Sequence, residues 1–143
     1  MLREAREKLK QVYGYDAFRK GQEDIISGIM EGRDTLAVLP TGGGKSICYQ
    51  IPALLLPGTT LVISPLISLM KDQVDTLNRL GVPAAYLNSS LGASEYRDVL
   101  RSAMSGEYKL LYVAPERLDS SMFASLADQL TIPFIAIDEA HCV

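Results

Sequence analysis

A glycine-rich segment between an apolar run and a helical pattern is the part of the sequence best suited to chemistry. It reads Pro40-Thr41-Gly42-Gly43-Gly44-Lys45-Ser46. Glycines let successive backbone N–H groups turn inward around an anion, and the N-terminus of the following helix adds a partial positive charge. Lys45 can reach the outer phosphates of a nucleoside triphosphate, and Ser46 is placed to ligate Mg²⁺. Thr41 to Ser46 therefore predict a phosphate-binding loop rather than a turn that only caps a helix.

Two adjacent carboxylates follow the last apolar run of the chain, Phe134 to Ile137. A strand with this composition brings Asp138 and Glu139 to one edge of a sheet, where the backbone bends and both acids can converge. We expect Asp138 to hold Mg²⁺, directly or through water, and Glu139 to polarise the water that attacks the γ-phosphate. His141 is the only histidine. Its spacing leaves two interpretations open, a loop histidine or a relay of the nucleotide state.

The elements that must position these residues are visible in the apolar pattern. Short runs rich in branched residues predict strands buried on both faces at Leu36–Leu39, Leu61–Ile63, Leu110–Val113 and Phe134–Ile137, with a weaker one at Ala84–Leu87. Amphipathic helices are predicted in two stretches before residue 31, from Gly44 to about Pro57, from Ser68 to Leu80 and from Ser94 to Ser105.

Strands that alternate with helices in this way predict an α/β fold. Right-handed crossovers produce a parallel sheet with helices on both faces, and ligand loops gather at the carboxyl ends of the strands. We divide the chain into a helical segment at 1–33 and a phosphate-loop α/β core at 34–143. The sequence stops soon after Asp138 and Glu139, which we interpret as truncation.

Bulk properties exclude several classes of protein. The formal net charge of −3 argues against binding nucleic acid mainly through a broad basic face. No apolar run approaches the length of a membrane span, and no secretory pattern follows the charged N-terminus, so we expect a cytoplasmic, nucleoid-associated protein without membrane contacts. Cys48 and Cys142 are too few and too far apart for a disulfide framework or a zinc site, and we interpret both as packing residues.

The acidic strand end resembles a known family once its neighbours are included. Asp138-Glu139-Ala140-His141, followed by Cys142, is similar to the DEAH box of the RecQ DNA helicases, which implies a catalytic role for His141. Leu39 stands where the general phosphate-loop pattern has its first glycine, and the shorter form that remains resembles superfamily 2 helicases. The resemblance implies a RecA-like lobe that binds ATP and Mg²⁺.

The segment Tyr13 to Gln22 resembles the nucleotide-base motif of the same family. The resemblance implies that Tyr15 and Arg19 sandwich adenine and that Gln22 hydrogen-bonds its edge. A glutamine amide offers the donor and the acceptor that this edge requires, and a planar guanidinium stacks well on a base. Without the resemblance, the segment would be interpreted as a turn between helices.

Two further stretches are similar to helicase motifs that grip a single strand. They run from Leu61 to Val74 and from Tyr112 to Leu118. The resemblance implies DNA contacts through hydroxyls, amide N–H groups and a guanidinium at Ser64, Pro65, Ser68, Pro115 and Arg117. For Ser64, Ser68 and Pro115 the alternative is ordinary capping and turn formation, which is compatible with the DNA contacts. For Arg117, a local ion pair with Glu116 is as good an explanation as a DNA contact.

The resemblance implies an ATP-dependent 3′ to 5′ DNA helicase that acts on single strands and duplex junctions. The family's second RecA-like lobe carries an arginine finger, and no residues of such a lobe are in this sequence. We therefore expect 1–143 alone to bind nucleotide without unwinding DNA. The alternatives are a nucleotide-binding regulatory module without turnover and an RNA helicase.

Overall fold

The computed structural model describes residues 2–39 and 44–139. The chain divides into two compact units, Met1–Pro57 and Gly58–Val143. Within the described residues no helix is both long and apolar enough to cross a membrane.

The first unit is built from helices. They are α1 at Leu2–Lys8, which continues into a π-helical turn at Leu9–Tyr13, α2 at Gln22–Met30 and α3 at Lys45–Leu55. One buried cluster joins α1 to α3, with Ala5, Leu9, Ile26 and Ile51 between 0% and 1% exposed. Gly14 ends the π-helical turn with a φ of 78°, a left-handed conformation that glycine adopts without the steric cost of a Cβ atom.

The predicted strand at Leu36–Leu39 is wrong. Residues 33–39 form neither helix nor strand, and the side chains of Leu36 and Val38 are 87% and 88% exposed. Apolar, branched residues favour a strand, but a strand exists only where its backbone N–H and C=O groups find a partner strand. The composition of residues 36–39 favours a strand, but the segment pairs with no strand in the described part of the chain.

The second unit contains a four-stranded sheet in the order β2-β3-β1-β4. Its strands are β1 at Thr60–Ile63, β2 at Ala84–Leu87, β3 at Leu110–Val113 and β4 at Ile135–Ile137, and every pairing is parallel. The helices are α4 at Ile67–Arg79, α5 at Ala93–Met104 and α6 at Ser121–Gln129, with a 3₁₀ turn at Pro115–Arg117. The predicted α/β class with a parallel sheet is confirmed.

Helices cover both faces of this sheet because its crossovers run in two directions. The connection from β1 to β2 crosses the sheet one way, and the connections from β2 to β3 and from β3 to β4 cross it the other way. Right-handed crossovers then place α4 on one face and α5 and α6 on the other. On the second face Leu100 of α5 and Leu126 of α6 pack with Leu111 of β3. Helix α6, which the sequence analysis missed, begins where the Ser120 hydroxyl accepts a hydrogen bond from the Phe123 N–H at 3.1 Å.

The last strand departs from its predicted environment. Ile135 and Ile137 are 55% and 54% exposed, although the apolar run predicts a strand buried on both faces. Strand β4 lies at the edge of the sheet and pairs with β1 on one side. Edge position alone does not cause this exposure, since β2 at the other edge is largely buried. The buried cluster that α5 and α6 cover includes residues of β1, β2 and β3 but neither Ile135 nor Ile137.

Candidate functional site

The side chain of Gln22 is held between two backbone groups of the first unit. Its Oε1 accepts a hydrogen bond from the Arg19 N–H at 2.7 Å, and its Nε2 donates one to the Gly44 carbonyl at 3.1 Å. The residue is only 2% exposed. Gln22 therefore ties the base segment to the residue that precedes helix α3.

The other two base-segment residues lie at the surface. Tyr15 is 53% exposed, and Arg19 is exposed as well. Next to Tyr15, the Lys10 ammonium donates a hydrogen bond of 2.7 Å to the Asp16 carboxylate. This hydrogen bond and the lysine charge hold the pKa of Asp16 below its ordinary value. Both side chains are therefore exposed to solvent, and Gln22 is the buried member of the three.

Helix α3 begins at the end of the predicted phosphate loop. Gly44 is its N-cap and has a φ of 76° and a ψ of 37°, a left-handed conformation. Lys45 is the first residue of the helix and is exposed, and Ser46, in the same first turn, is half-buried. Three members of the loop, Thr41, Gly42 and Gly43, lie outside the described residues.

A buried thiol lies one turn into α3. Cys48 is 4% exposed, and its Sγ lies 3.8 Å from the Gly44 carbonyl oxygen, to which it donates a weak hydrogen bond. Burial raises the pKa of the Cys48 thiol to about 11. At neutral pH this residue is therefore a protonated packing group beneath the start of the helix.

The acidic pair lies directly beyond β4. The Asp138 N–H donates to the Ile63 carbonyl at 2.9 Å, which continues the β1–β4 ladder by one residue. The Asp138 Oδ1 accepts from the Glu139 N–H at 3.0 Å. Glu139 has a φ of 54° and is the one residue other than glycine with positive φ in the described part of the chain. Backbone strain of this kind collects at functional sites because it fixes the direction of a side chain. His141 lies outside the described residues.

The carboxyl edge of the sheet brings the predicted DNA residues onto neighbouring strands. Ser64 follows β1, Pro115 follows β3, and these two strands are adjacent in the sheet. Ser64 itself is 2% exposed, and its Oγ accepts a hydrogen bond from the Leu66 N–H at 3.4 Å. Pro65 is half-buried and Ser68 is exposed. The Ser64 hydroxyl thus serves the turn into α4, and Ser68 is the more accessible hydroxyl.

Arg117 is directed into the protein. Its guanidinium carbon lies 4.8 Å from the centre of the Tyr96 ring, and its Nη2 donates a hydrogen bond of 3.4 Å to the Asn88 carbonyl. The Asn88 side chain is completely buried. The motifs in the sequence point to neither the Arg117–Asn88 hydrogen bond nor the Arg117–Tyr96 contact. The signal for Asn88 was its position directly after β2, at the edge where the other candidates gather.

The described residues contain no cluster of three or more His, Cys, Asp or Glu side chains that could hold a metal ion. A dedicated all-protein metal cage is therefore not built from them. Magnesium bound with nucleotides does not need such a cage, because one or two protein groups act there together with substrate phosphates and water.

Comparison with known proteins places the chain among helicases. The sequence profile of the DEAD/DEAH box helicases matches residues 19–143. An ATP-dependent DNA helicase RecQ of Bacillus subtilis is 51% identical over 144 residues, which cover 100% of this chain and 24% of that protein. The RecQ helicase of Haemophilus influenzae is 54% identical over 94% of this chain and 22% of its own length. A probable ATP-dependent DNA helicase RecS of Bacillus subtilis is 48% identical, over 94% of this chain and 27% of its own length.

The chain thus spans about a quarter of the length of these curated relatives. The resemblance to RecQ helicases that the motifs predict is confirmed.

Proposed function

This chain belongs to the DEAD/DEAH box helicase family, and on that premise we propose that it is the nucleotide-binding portion of an ATP-dependent 3′ to 5′ DNA helicase of RecQ type. The observation that carries the proposal is the hydrogen bond from Gln22 to Gly44. It joins the segment suited to a base to the start of the helix suited to phosphates. This connection supports a site that contacts both ends of a nucleotide.

We propose that ATP binds with its adenine between Tyr15 and Arg19 and with its base edge on Gln22. The backbone N–H groups of Thr41 to Gly44 surround the phosphates, and Lys45 contacts the outer ones. The N-terminus of α3 supports this assignment because the N–H groups of a first helical turn point along the axis and, with the helix dipole, favour an anion. Lys45 is the first residue of that helix and is exposed, as this role requires.

Hydrolysis is assigned to the acidic strand end. Ser46 and Asp138 hold Mg²⁺, which neutralises charge on the outer phosphates when it is bound. Glu139 orients the attacking water and accepts its proton, and the left-handed backbone at Glu139 sets the direction of the carboxylate. His141 is assigned to the same catalytic group as a relay of the nucleotide state.

We propose that DNA binds along the carboxyl edge of the sheet at Ser64, Pro65, Ser68 and Pro115, through the exposed Ser68 hydroxyl and backbone N–H groups of the loops that carry these residues. Contacts of this type position a phosphate backbone without requiring a basic face. This agrees with a net charge of −3. The substrates are single strands and duplex junctions, and the protein acts in the cytoplasm at the nucleoid. Unwinding also requires a second RecA-like lobe with an arginine finger.

The test uses the intact protein and its Lys45→Ala variant. We expect the unaltered protein to hydrolyse ATP faster when single-stranded DNA is added and to unwind a duplex with a 3′ overhang. Lys45→Ala should abolish both activities. Near-normal turnover in that variant would contradict the phosphate-loop assignment. Stimulation by RNA rather than DNA would favour an RNA helicase, and ATP binding without any turnover would favour a regulatory module.

A further inference from the structure

We infer that Arg117 is a positioning residue that joins two loops at the carboxyl edge of the sheet, rather than a group that contacts DNA directly. The inference rests on the proposed function, because it assigns to these loops a surface that binds a single DNA strand. The loops are Asn88–Gly92, which follows β2, and Ala114–Arg117, which follows β3. Strands β2 and β3 are neighbours in the sheet.

The contacts of Arg117 cross from one loop to the other. Its Nη2 donates to the carbonyl of Asn88, 29 positions earlier in the chain, and its guanidinium packs on the ring of Tyr96 in the first turns of α5. A guanidinium over an aromatic ring is attracted by the electron-rich face, and the attraction grows when the pair is removed from water. Tyr96 is 4% exposed, so the contact is largely removed from water.

Asn88 extends the connection to a third element. Its Nδ2 donates to the Met70 sulfur of α4 at 3.5 Å, and its Oδ1 accepts from the N–H and the hydroxyl of Ser90. Helix α4 follows the loop that carries Ser64 and Pro65. Through Asn88 and Arg117, the loops that follow β2 and β3 are linked by side-chain contacts to each other and to helix α4. A change at Arg117 should therefore displace more than its own loop.

Arg117 is half-exposed, but the burial of its Nε atom favours positioning over direct contact through that atom. Its Nε atom is buried, and within the described part of the chain neither this atom nor the Tyr96 hydroxyl has a hydrogen-bond partner. Leaving a buried donor unpaired costs free energy, so the geometry must be maintained by the stacking and by the Nη2 contact. A phosphate cannot approach a covered Nε without first breaking this arrangement.

Salt dependence separates the two roles. In the intact protein, we measure single-stranded DNA affinity over a range of salt concentrations for Arg117→Gln, Arg117→Lys and the control Arg79→Gln at the far end of α4. A lost phosphate contact lowers the slope of log affinity against log salt by about 0.7 for a single strand. We expect Arg117→Gln and Arg117→Lys to weaken binding by a similar factor, roughly three- to tenfold, with the slope retained. The inference would be overturned if Arg117→Lys bound DNA with normal affinity and Arg117→Gln showed a reduced slope of log affinity against log salt.

Tyr96 variants provide a test that leaves every charge in place. Tyr96→Leu should weaken DNA as much as Arg117→Gln, and the double variant should be no weaker than either single one, since all three lose the same contact. Tyr96→Phe keeps the ring and removes a hydroxyl that has no partner in the described residues, so it should bind DNA normally. If Tyr96→Leu binds like the unaltered protein, or if Tyr96→Phe loses as much as Tyr96→Leu, the stacking does not position the loops.

ATPase kinetics of the Tyr96→Leu variant distinguish displaced loops from a general loss of structure. We expect Tyr96→Leu to need more DNA for half-maximal stimulation while reaching the same rate at saturating DNA. Equal loss of the saturated rate and of the thermal unfolding temperature would mean that the contact only stabilises the fold. If the unaltered protein neither binds DNA nor is stimulated by it, the proposed function fails. If it does both, and the Arg117 variants show the reduced slope, only the positioning role fails.

Discussion

The Nε2 of Gln22 lies 3.1 Å from the carbonyl oxygen of Gly44 and donates a hydrogen bond to it. The amide oxygen of the same side chain accepts from the Arg19 N–H. One buried side chain therefore touches both the segment proposed to hold a base and the residue that begins the phosphate-binding helix. Replacing Gln22 should therefore weaken the binding of both the base and the phosphates of the nucleotide.

Gln22→Ala should weaken ATP more than it weakens a triphosphate that has no base. Both ligands should lose affinity because Gly44 loses its hydrogen bond from Gln22, but ATP should also lose the hydrogen bonds proposed between Gln22 and the adenine edge. The comparison is made by titrating the intact protein with ATP and with inorganic triphosphate. Equal losses for the two ligands would show that Gln22 is structural and does not read the base.

Gly44→Ala should reduce ATP affinity, whereas Gly81→Ala should not. Both glycines have left-handed backbones, with φ of 76° and 84°, so alanine costs about 1 to 2 kcal/mol of stability at either position. A Cβ at Gly44 would lie 2.4 Å from the Gln22 Nε2, while a Cβ at Gly81 would meet nothing within 4 Å. Calorimetric unfolding measures the stability of both variants, and ATP titration measures their affinity. The difference in ATP affinity between the two variants should be absent when Gln22 is already alanine. ATP affinities that fall equally in the two variants would disprove the steric link.

Glu139→Gln should keep ATP binding and slow hydrolysis by about 10² to 10⁴, the usual contribution of a general acid–base group. The glutamine side chain has the same shape, so the left-handed backbone at this position is not expected to change. Steady-state ATPase rates with saturating DNA give the result. Glu107→Gln, which removes an exposed carboxylate just before β3, should retain normal turnover. A collapse of ATP affinity in Glu139→Gln would mean that Glu139 binds rather than catalyses.

Cys48 should react slowly with iodoacetamide at pH 8 and much faster as the pH approaches 11. The thiolate is the reactive form, and burial raises the pKa of this thiol to about 11 from the ordinary 9.0. Because of this shift, the Cys48 thiol of the folded protein keeps its proton between pH 9 and 11, where the thiol of the unfolded chain loses it. Its contribution to stability is complete below pH 9 and is lost as the pH rises towards 11. Peptide mapping of the alkylated protein follows Cys48 separately, and rapid labelling at pH 8 without denaturant would contradict the raised pKa.

The sequence by itself determined where most elements lie and which loop should bind phosphate. Apolar runs placed β1, β2 and β3 within a residue of their observed bounds, since strands of a parallel sheet that helices cover on both faces are mostly apolar. Glycine and proline marked the turns because their backbone preferences are local. The order Gly44-Lys45-Ser46 predicted the start of helix α3 for the same reason, because the residues that form this helix are local in the sequence.

Tertiary structure decided the properties that depend on residues distant in the chain. Leu36–Leu39 has a strand-like composition but forms no strand, and β4 is exposed at an edge, because pairing and burial depend on which strands become neighbours. Only the fold shows that Arg117 packs on Tyr96, or that Gln22 holds Gly44 from 22 positions away. The motifs contain the residue types that the chemistry requires. The contacts that orient those side chains come from elements that are distant in the sequence.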